Sequence, residues 1–280
     1  MSKLLIVDGS NLLFQMFFGM PSRIFNKDGK AIQGTLGFVG ALIKIIRMTN
    51  PTHLVILFDS EQKNARTEIN ANYKANRIDY STVPDEQNPF SQIQDIYTAL
   101  DFMQIRHAEV KGYETDDVVA SYALNFGSDM QVVISSFDSD FFQLIDDKVT
   151  VLRYRSDKTV ICDSDYIRDK LGVSPCQYAD YKSLTGDNAD NIIGANRVGP
   201  KTAALLINQF GSLDNILMNA DQISKASIKA SISSDKERLL QNYSMIKLDN
   251  RAEILFELDE LLLTYDGVTT NEVLKGIGLR

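Results

Sequence analysis

Carboxylates are the side chains of this sequence best suited to chemistry, because nine of them fall in short clusters. These acids are Asp8, Asp59, Glu114, Asp116, Asp117, Asp138, Asp140, Asp187 and Asp190. Like charges gathered in one pocket are unfavourable unless cations neutralise them. Hard divalent ions prefer oxygen ligands, and two such ions about 4 Å apart suit hydrolysis of a phosphodiester. The clusters therefore predict a metal-dependent nuclease.

The spacing within each cluster indicates which acids can share an ion. Glu114 and Asp117 lie three residues apart at the start of an apolar helix, so both can reach one ion, while Asp116 points aside. We expect the same arrangement at a second helix start over 187–190, and a turn at 138–140 whose acids face one pocket. Any one cluster alone is more often a helix cap than a metal site. Five clusters converging on one edge favour metal binding.

Other catalytic chemistries have little support in the composition, which includes only two histidines and two cysteines. Cys162 and Cys176 lack CxxC spacing and histidine neighbours, so neither zinc nor a disulfide framework is indicated. His53 and His107 lie at the ends of apolar segments and are interpreted as structural. Oxygen ligands must therefore carry any catalysis.

The net charge of −8 argues against a generic binder of polyanions. Without the nine clustered carboxylates the chain would carry +1, so concentrated acid does not exclude nucleic acid. No apolar run approaches the roughly 18 residues of a membrane span. The N-terminal apolar stretch fits a buried strand and is too short for a signal peptide. We expect a cytoplasmic protein that does not enter membranes.

The elements that must position the acids follow an alternating α/β pattern. Apolar strands over 3–8 and 54–59 each end in Asp, and a third strand over 130–135 precedes Asp138. Helical spacing predicts a helix over 34–48. Sites in open α/β sheets lie at the carboxyl edge of the strands. We expect an α/β core over 1–160, with a mostly parallel central sheet flanked by helices.

Residues 60–92 interrupt this pattern with polar, basic and turn-rich sequence, which we interpret as a mobile, partly helical excursion above the site. Helix resumes over about 90–103. From about 161 to 280 the sequence predicts short helices, with a helix–hairpin–helix unit at about 186–210. Residues 236–280 are predicted to form a helix and an irregular tail, extended near 253–258.

Several short motifs occur in a fixed order between residue 4 and about residue 215. They are Val7-Asp-Gly-Ser-Asn11, Phe58-Asp59, Arg66, Tyr73-Lys-Ala-Asn-Arg77, Gly112-Tyr-Glu-Thr-Asp-Asp117, Asp138-Ser-Asp140, Gly186-Asp-Asn-Ala-Asp-Asn191 and Val198-Gly-Pro-Lys-Thr202. Together they resemble the bacterial and phage 5′-nuclease family, which includes flap endonucleases and the 5′-nuclease domain of bacterial DNA polymerase I. The resemblance implies a Mg²⁺- or Mn²⁺-dependent 5′–3′ exonuclease and flap endonuclease, with two or more ions. Its partner would be DNA with a 5′ flap or a 5′ end at a junction.

Matched by position, the acids resemble two metal clusters of the family. The first acidic set is Asp8, Asp59, Glu114, Asp117 and Asp138. The second acidic set is Asp116, Asp140, Asp187 and Asp190. Some stand-alone bacterial relatives have lost acids of the second set, whereas this sequence keeps them all, which favours a competent nuclease.

The resemblance also assigns the residues that hold DNA. The excursion at 60–92 resembles the family's flexible arch, in which Arg66, Lys74 and Arg77 are the candidate catalytic cations that grip the scissile phosphate, and Tyr73 is a candidate base-stacking residue. The hairpin resembles a unit that holds the duplex backbone and a monovalent cation such as K⁺. Its candidate DNA contacts are Arg197, Lys201 and Thr202. Arg197 stands where relatives often have Gly, so the hairpin conformation stays open.

Three alternatives to these interpretations remain open. The arch cations can form a solvated helix face, and Tyr73 can pack beneath the arch. The chain can instead be a PIN-like ribonuclease, although the hairpin and the basic arch argue against this. It can also be a non-catalytic DNA-junction binder. We expect a stand-alone monomer, and the sequence identifies no protein partner.

Overall fold

The structure is a computed structural model that describes residues 2–60, 78 and 80–280. Its strands are β1 (Lys3–Asp8), β2 (His53–Asp59), β3 (Arg106–Val110), β4 (Gln131–Ser135), β5 (Val149–Arg153), β6 (Val160–Cys162), β7 (Gly186–Asp187) and β8 (Ile192–Ile193). The α-helices of these described residues are α1 (Gly9–Gly19), α2 (Gln33–Thr49), α3 (Ile93–Phe102), α4 (Thr115–Gly127), α5 (Ser164–Leu171), α6 (Tyr178–Thr185), α7 (Pro200–Phe210), α8 (Leu213–Met218), α9 (Ala226–Ser234), α10 (Lys236–Ile246) and α11 (Thr270–Gly276). The arch residues Arg66, Tyr73, Lys74 and Arg77 lie outside the described residues.

The central sheet has six strands in the order β3-β2-β1-β4-β5-β6. All neighbouring strands are parallel except β5 and β6, which run antiparallel at one edge. Leu4, Leu5, Ile6 and Val7 in the middle strand β1 are completely buried, as expected for a parallel strand covered on both faces. The expected mostly parallel sheet flanked by helices is confirmed.

The path of the chain creates a switch point beside β1. It proceeds from β1 outward to β2 and β3, then returns to place β4 on the other side of β1. In the register of the sheet, Asp8 pairs with Leu57, and Val7 pairs with Ser135. The carboxyl ends of these three strands therefore meet where open α/β sheets place their ligands.

Two apolar layers cover the faces of the sheet. One contains α1, α2 and α3, with Leu13, Phe38 and Leu100 completely buried. The other begins under α4 and continues without a break into the C-terminal helices, and it includes Val118 and Leu239. The C-terminal helices thus share their hydrophobic core with the sheet. Within the described residues, no helix is long and apolar enough to cross a membrane.

The expected helix start at 187–190 is wrong. Asp187 ends β7, and residues 188–191 form the turn to β8, which pairs antiparallel with β7. Gly186 has a left-handed φ of 79°, and a Cβ on Gly194 would meet the carbonyl carbon of Thr185 at 2.4 Å. This close approach of two backbone segments closes a hairpin in place of a helix. The helix–hairpin–helix accordingly begins with α6, upstream of the predicted residue 186.

Two further local expectations need adjustment. Residues 253–258 form no strand, and the hydroxyl of Tyr122 binds this segment instead by accepting the amide N–H groups of Leu255 (3.1 Å) and Phe256 (2.8 Å). Asp140 opens a 3₁₀ helix, Asp140–Leu144, where we expected a simple turn. The helix expected over 34–48 is confirmed as α2.

Candidate metal centre and nucleic-acid interface

Asp8 is the centre of the first acidic set and is buried at the end of β1. One carboxylate oxygen accepts the amide N–H of Asn11 (3.0 Å), which caps α1, and the other accepts the hydroxyl of Ser136 (2.8 Å). Burial and the charges of Asp59 and Asp138 nevertheless raise the pKa of Asp8 to about 7. These two hydrogen bonds therefore do not offset the cost of burying the carboxylate beside other acids, and a nearby cation would stabilise its charged form.

Asp59 and Asp138 approach Asp8 from the two neighbouring strands. The amide N–H of Asp59 donates to Ser10 Oγ (2.8 Å), which joins the end of β2 to the start of α1. The amide N–H of Asp138 donates to Ser136 Oγ (3.0 Å), so Ser136 connects Asp138 with Asp8. Sequence reasoning missed Ser136, whose only signal is its position directly after a buried strand.

The acids of α4 stand where the sequence placed them. Glu114 is the N-cap residue of this helix, with Asp116 and Asp117 in its first turn. The side chain of Glu114 makes no capping hydrogen bond to the helix, so capping does not explain this acid. Asp117 is buried and accepts the amide N–H of Asp249 (2.9 Å) from a C-terminal loop. Because α4 follows the carboxyl end of the parallel strand β3, its first turn lies at the carboxyl edge of the sheet, and the helix packs on β1, β2 and β4.

Two acids of the second set contact a lysine that sequence reasoning missed, and a third lies near one of them. The ammonium of Lys182 contacts Asp140 directly and lies 2.6 Å from Asp187 Oδ2. Asp190 is buried near enough for its charge to act on Asp140. The amide N–H of Asp140 donates to Asp138 Oδ1 (2.8 Å), which links the two sets.

Lys182 keeps its charge in this environment. Burial acts to lower the pKa of Lys182, but the carboxylates of Asp140 and Asp187 outweigh this effect and hold the pKa above its usual range. On sequence alone Lys182 resembles any other polar residue of a short helix. The acids that define its role come from other segments of the chain.

The carboxylate oxygens of the two acidic sets are the type of ligand that hard divalent cations prefer. Within residues 2–60, 78 and 80–280, no three acidic, histidine or cysteine side chains already stand close enough together to hold an ion. The available ligands are carboxylates, which Mg²⁺ and Mn²⁺ prefer. The raised pKa of Asp8, which comes first from burial and then from Asp59, marks a place where positive charge is favourable.

The hairpin between α6 and α7 presents the candidate DNA contacts. Arg197 is exposed and has a φ of 63°, in the left-handed region that favours glycine. Lys201 is exposed and Thr202 half-buried in the first turn of α7. Gly199, the N-cap of α7, provides no side-chain cap, so the amides of this turn can donate to a phosphate.

The C-terminal helices hold this hairpin in place. The amide N–H of Asn196 donates to Asp235 Oδ2 (3.1 Å), and the hydroxyl of Ser231 donates to the carbonyl of Asn196 (2.6 Å). The guanidinium of Arg238 donates to the carbonyl of Gly194 (3.0 Å). Arg197 therefore directly follows a backbone segment that these helices hold in place.

Comparisons with known proteins identify the same architecture. The model of the N-terminal resolvase-like domain of 5′–3′ exonucleases matches residues 3–172, and that of their C-terminal SAM fold matches residues 173–268. A 5′–3′ exonuclease of Aquifex aeolicus is 33% identical over 93% of this chain and 86% of its own length. DNA polymerase I of Lactococcus lactis is 31% identical over 93% of this chain.

The chain spans only 30% of the length of that polymerase. Among solved structures, the 5′-exonuclease of phage T5 with bound zinc has a TM-score of 0.73 and 21% identity, and 98% of each chain is covered. The T5 flap endonuclease in a pseudo-enzyme–product complex with DNA and metal ions has a TM-score of 0.71 and 22% identity, covering 98% of this chain and 97% of the other. At this identity the structures show a shared fold. The two family models and the Aquifex relative together show that this chain belongs to the 5′–3′ exonuclease family.

Proposed function

We propose that the chain is a structure-specific 5′ nuclease, both flap endonuclease and 5′–3′ exonuclease. It would hydrolyse DNA phosphodiesters near junctions between single strands and duplexes. The observation that carries this proposal is that Asp8 is buried at the switch point of the sheet, within reach of the charges of Asp59 and Asp138. Family membership supports it, as does the T5 flap endonuclease of the same fold, which was solved with DNA and metal ions.

The proposed cofactors are Mg²⁺ or Mn²⁺, with two or more ions bound by the first and second acidic sets. Bound there, divalent ions would supply an activated water and neutralise charge on the leaving oxygen. Ser136 orients Asp8 and Asp138, and the amide of Asp249 orients Asp117. We also propose that the hairpin holds a monovalent cation such as K⁺.

The proposed DNA interface combines the hairpin with the arch. Arg197, Lys201 and Thr202 would contact the duplex backbone, in a mode that selects shape and not base sequence. Arg66, Lys74 and Arg77 would grip the scissile phosphate and Tyr73 would stack on a base, as the family resemblance implies. In functional terms, residues 1–160 form the nuclease core and residues 161–280 the DNA-binding region of a cytoplasmic monomer.

A substrate comparison tests the proposal. The full chain is incubated with a 5′-labelled DNA flap, an unbranched duplex and single-stranded RNA, each with Mg²⁺ and with EDTA, and the cut sites are mapped. We expect cleavage of the flap at the junction in Mg²⁺ alone. Preferential cleavage of the RNA would indicate a PIN-like ribonuclease, and binding of the flap without cleavage in Mg²⁺ or Mn²⁺ would indicate a junction binder.

A further inference from the structure

Lys182 lies inside the second acidic set and has no part in the function proposed above. Its side chain is 8% exposed, and its ammonium pairs with Asp140 and Asp187 from two other segments. The ring of Tyr178 lies 5.9 Å from the ammonium. Lysine is rarely buried unless it is paired. The lysine and the two acids therefore form one cluster in which each charge depends on the others.

The two acidic sets differ in how their charge is balanced. The strongest charge effects on Asp8 in the first set come from Asp59 and Asp138, which repel it. In the second set, Asp140 and Asp187 already pair directly with the ammonium of Lys182, although burial still raises the pKa of Asp140 to about 7. A cation entering the first set relieves repulsion, whereas one that binds Asp140 and Asp187 must first separate them from an ammonium. Because the cluster is largely buried, water and salt screen the attraction between the ammonium and the carboxylates less than they screen a surface ion pair.

We propose that Lys182 is a built-in counter-cation of the second acidic set, which stabilises Asp140 and Asp187 in the metal-free protein and competes with the divalent ion for them. This inference rests on the proposed metal-dependent function and deepens it. It makes the second set the weaker ion site, filled only at higher ion concentration. Lys182 is thus a positioning residue that acts through the acids.

Calorimetric titration of the full chain with Mn²⁺, in the absence of DNA, tests the proposal. Lys182→Met removes the charge and keeps an unbranched side chain, while Lys182→Arg keeps the charge. Lys229→Met is the matched control, because Lys229 pairs with Asp221 at the surface (2.6 Å). We expect two classes of site in the wild type. Lys182→Met should tighten the weaker class about tenfold or more, and the other two variants should leave it unchanged.

Thermal unfolding gives a second readout that is independent of cleavage. Without ions, Lys182→Met should unfold at a lower temperature than the wild type, because the buried Asp140 and the half-buried Asp187 lose their counter-charge. Mn²⁺ should restore this loss and raise the melting temperature more than it does in the wild type. If the variant does not fold in EDTA, recovery of a native circular dichroism spectrum in Mn²⁺ supports the proposal. Failure to fold in saturating Mn²⁺ overturns it.

The outcomes separate this inference from the proposed function. A wild type that binds no Mn²⁺ overturns both. A wild type with two classes of site, and a weaker class that Lys182→Met leaves unchanged, overturns the inference alone. The inference also fails if Lys182→Met weakens DNA binding in EDTA and leaves the Mn²⁺ binding isotherm unchanged, since Lys182 would then contact a DNA phosphate.

Discussion

Replacing Arg197 with Gly should stabilise the protein and weaken its hold on DNA. The backbone at Arg197 has a φ of 63°, and a left-handed conformation costs an L-residue roughly 1–2 kcal/mol. Gly removes this cost but gains conformational freedom in the unfolded chain, worth roughly 0.4–1 kcal/mol. The free energy of unfolding should therefore rise by about 0.5–1 kcal/mol. For a chain of this size, this corresponds to about 1–3 °C in melting temperature.

The effect of this substitution on DNA binding can be measured separately from stability. The logarithm of the affinity falls as the logarithm of the salt concentration rises. If Arg197 contacts one phosphate, its loss should make this fall less steep by about 0.9. Binding of a flap substrate is measured in EDTA over a range of salt concentrations. Arg197→Ala is the matched control, because Ala removes the cation and keeps the left-handed penalty. It should reduce the salt slope equally and leave the unfolding free energy near that of the wild type.

Two results would refute this reasoning. If Arg197→Gly destabilises the protein, then the arginine side chain stabilises the hairpin and the left-handed φ is not a net cost. If neither variant changes the salt slope, Arg197 does not contact a phosphate. The hydrogen bonds that hold Asn196 and Gly194 involve backbone groups of the hairpin, so both variants should retain them.

Three further predictions address the supports of the site. Tyr122→Phe should lower the free energy of unfolding by about 1–2 kcal/mol, since two backbone N–H groups lose their acceptor; an unchanged urea midpoint would contradict this. Asn242→Ala removes the amide that donates to the carbonyls of Ser183 (3.2 Å) and Ile193 (2.9 Å), so it should lower the free energy of unfolding by about 2 kcal/mol and weaken flap binding in EDTA. Binding with the affinity of the wild type would show that the hairpin does not need this support. Asp8→Asn should abolish cleavage. It should also stabilise the metal-free protein by about 1 kcal/mol in urea denaturation, because it removes a buried charge that two other acids repel. A loss of stability in EDTA would contradict this expectation.

Much of the first acidic set was predictable from local sequence. The runs that form β1 and β2 are apolar and end in Asp8 and Asp59, so their burial and the position of each acid follow from the chain itself. The apolar residues of α4 likewise predict where the helix begins, and so place Glu114 at its N-cap. In contrast, β3 has mixed polarity at an edge of the sheet, and sequence reasoning did not identify it as a strand.

The second acidic set was less predictable because it depends on contacts between distant segments. The hairpin that carries Asp187 and Asp190 exists because Gly186 and Gly194 approach each other closely, which helical periodicity does not reveal. Lys182 acquires its role only when Asp140 and Asp187 fold against it. The left-handed backbone at Arg197 is a conformation that favours glycine, and nothing in the local sequence indicated it.

The most direct test of the proposed function compares the wild type with Asp138→Asn on a 5′-labelled flap. Asp138 lies beside Asp8 and also accepts the amide N–H of Asp140, and Asn keeps both its size and an acceptor oxygen. We expect Mg²⁺-dependent cleavage at the junction by the wild type, and no cleavage by the variant, with flap binding in Ca²⁺ largely unchanged. Undiminished cleavage by Asp138→Asn would contradict the assignment of the first acidic set.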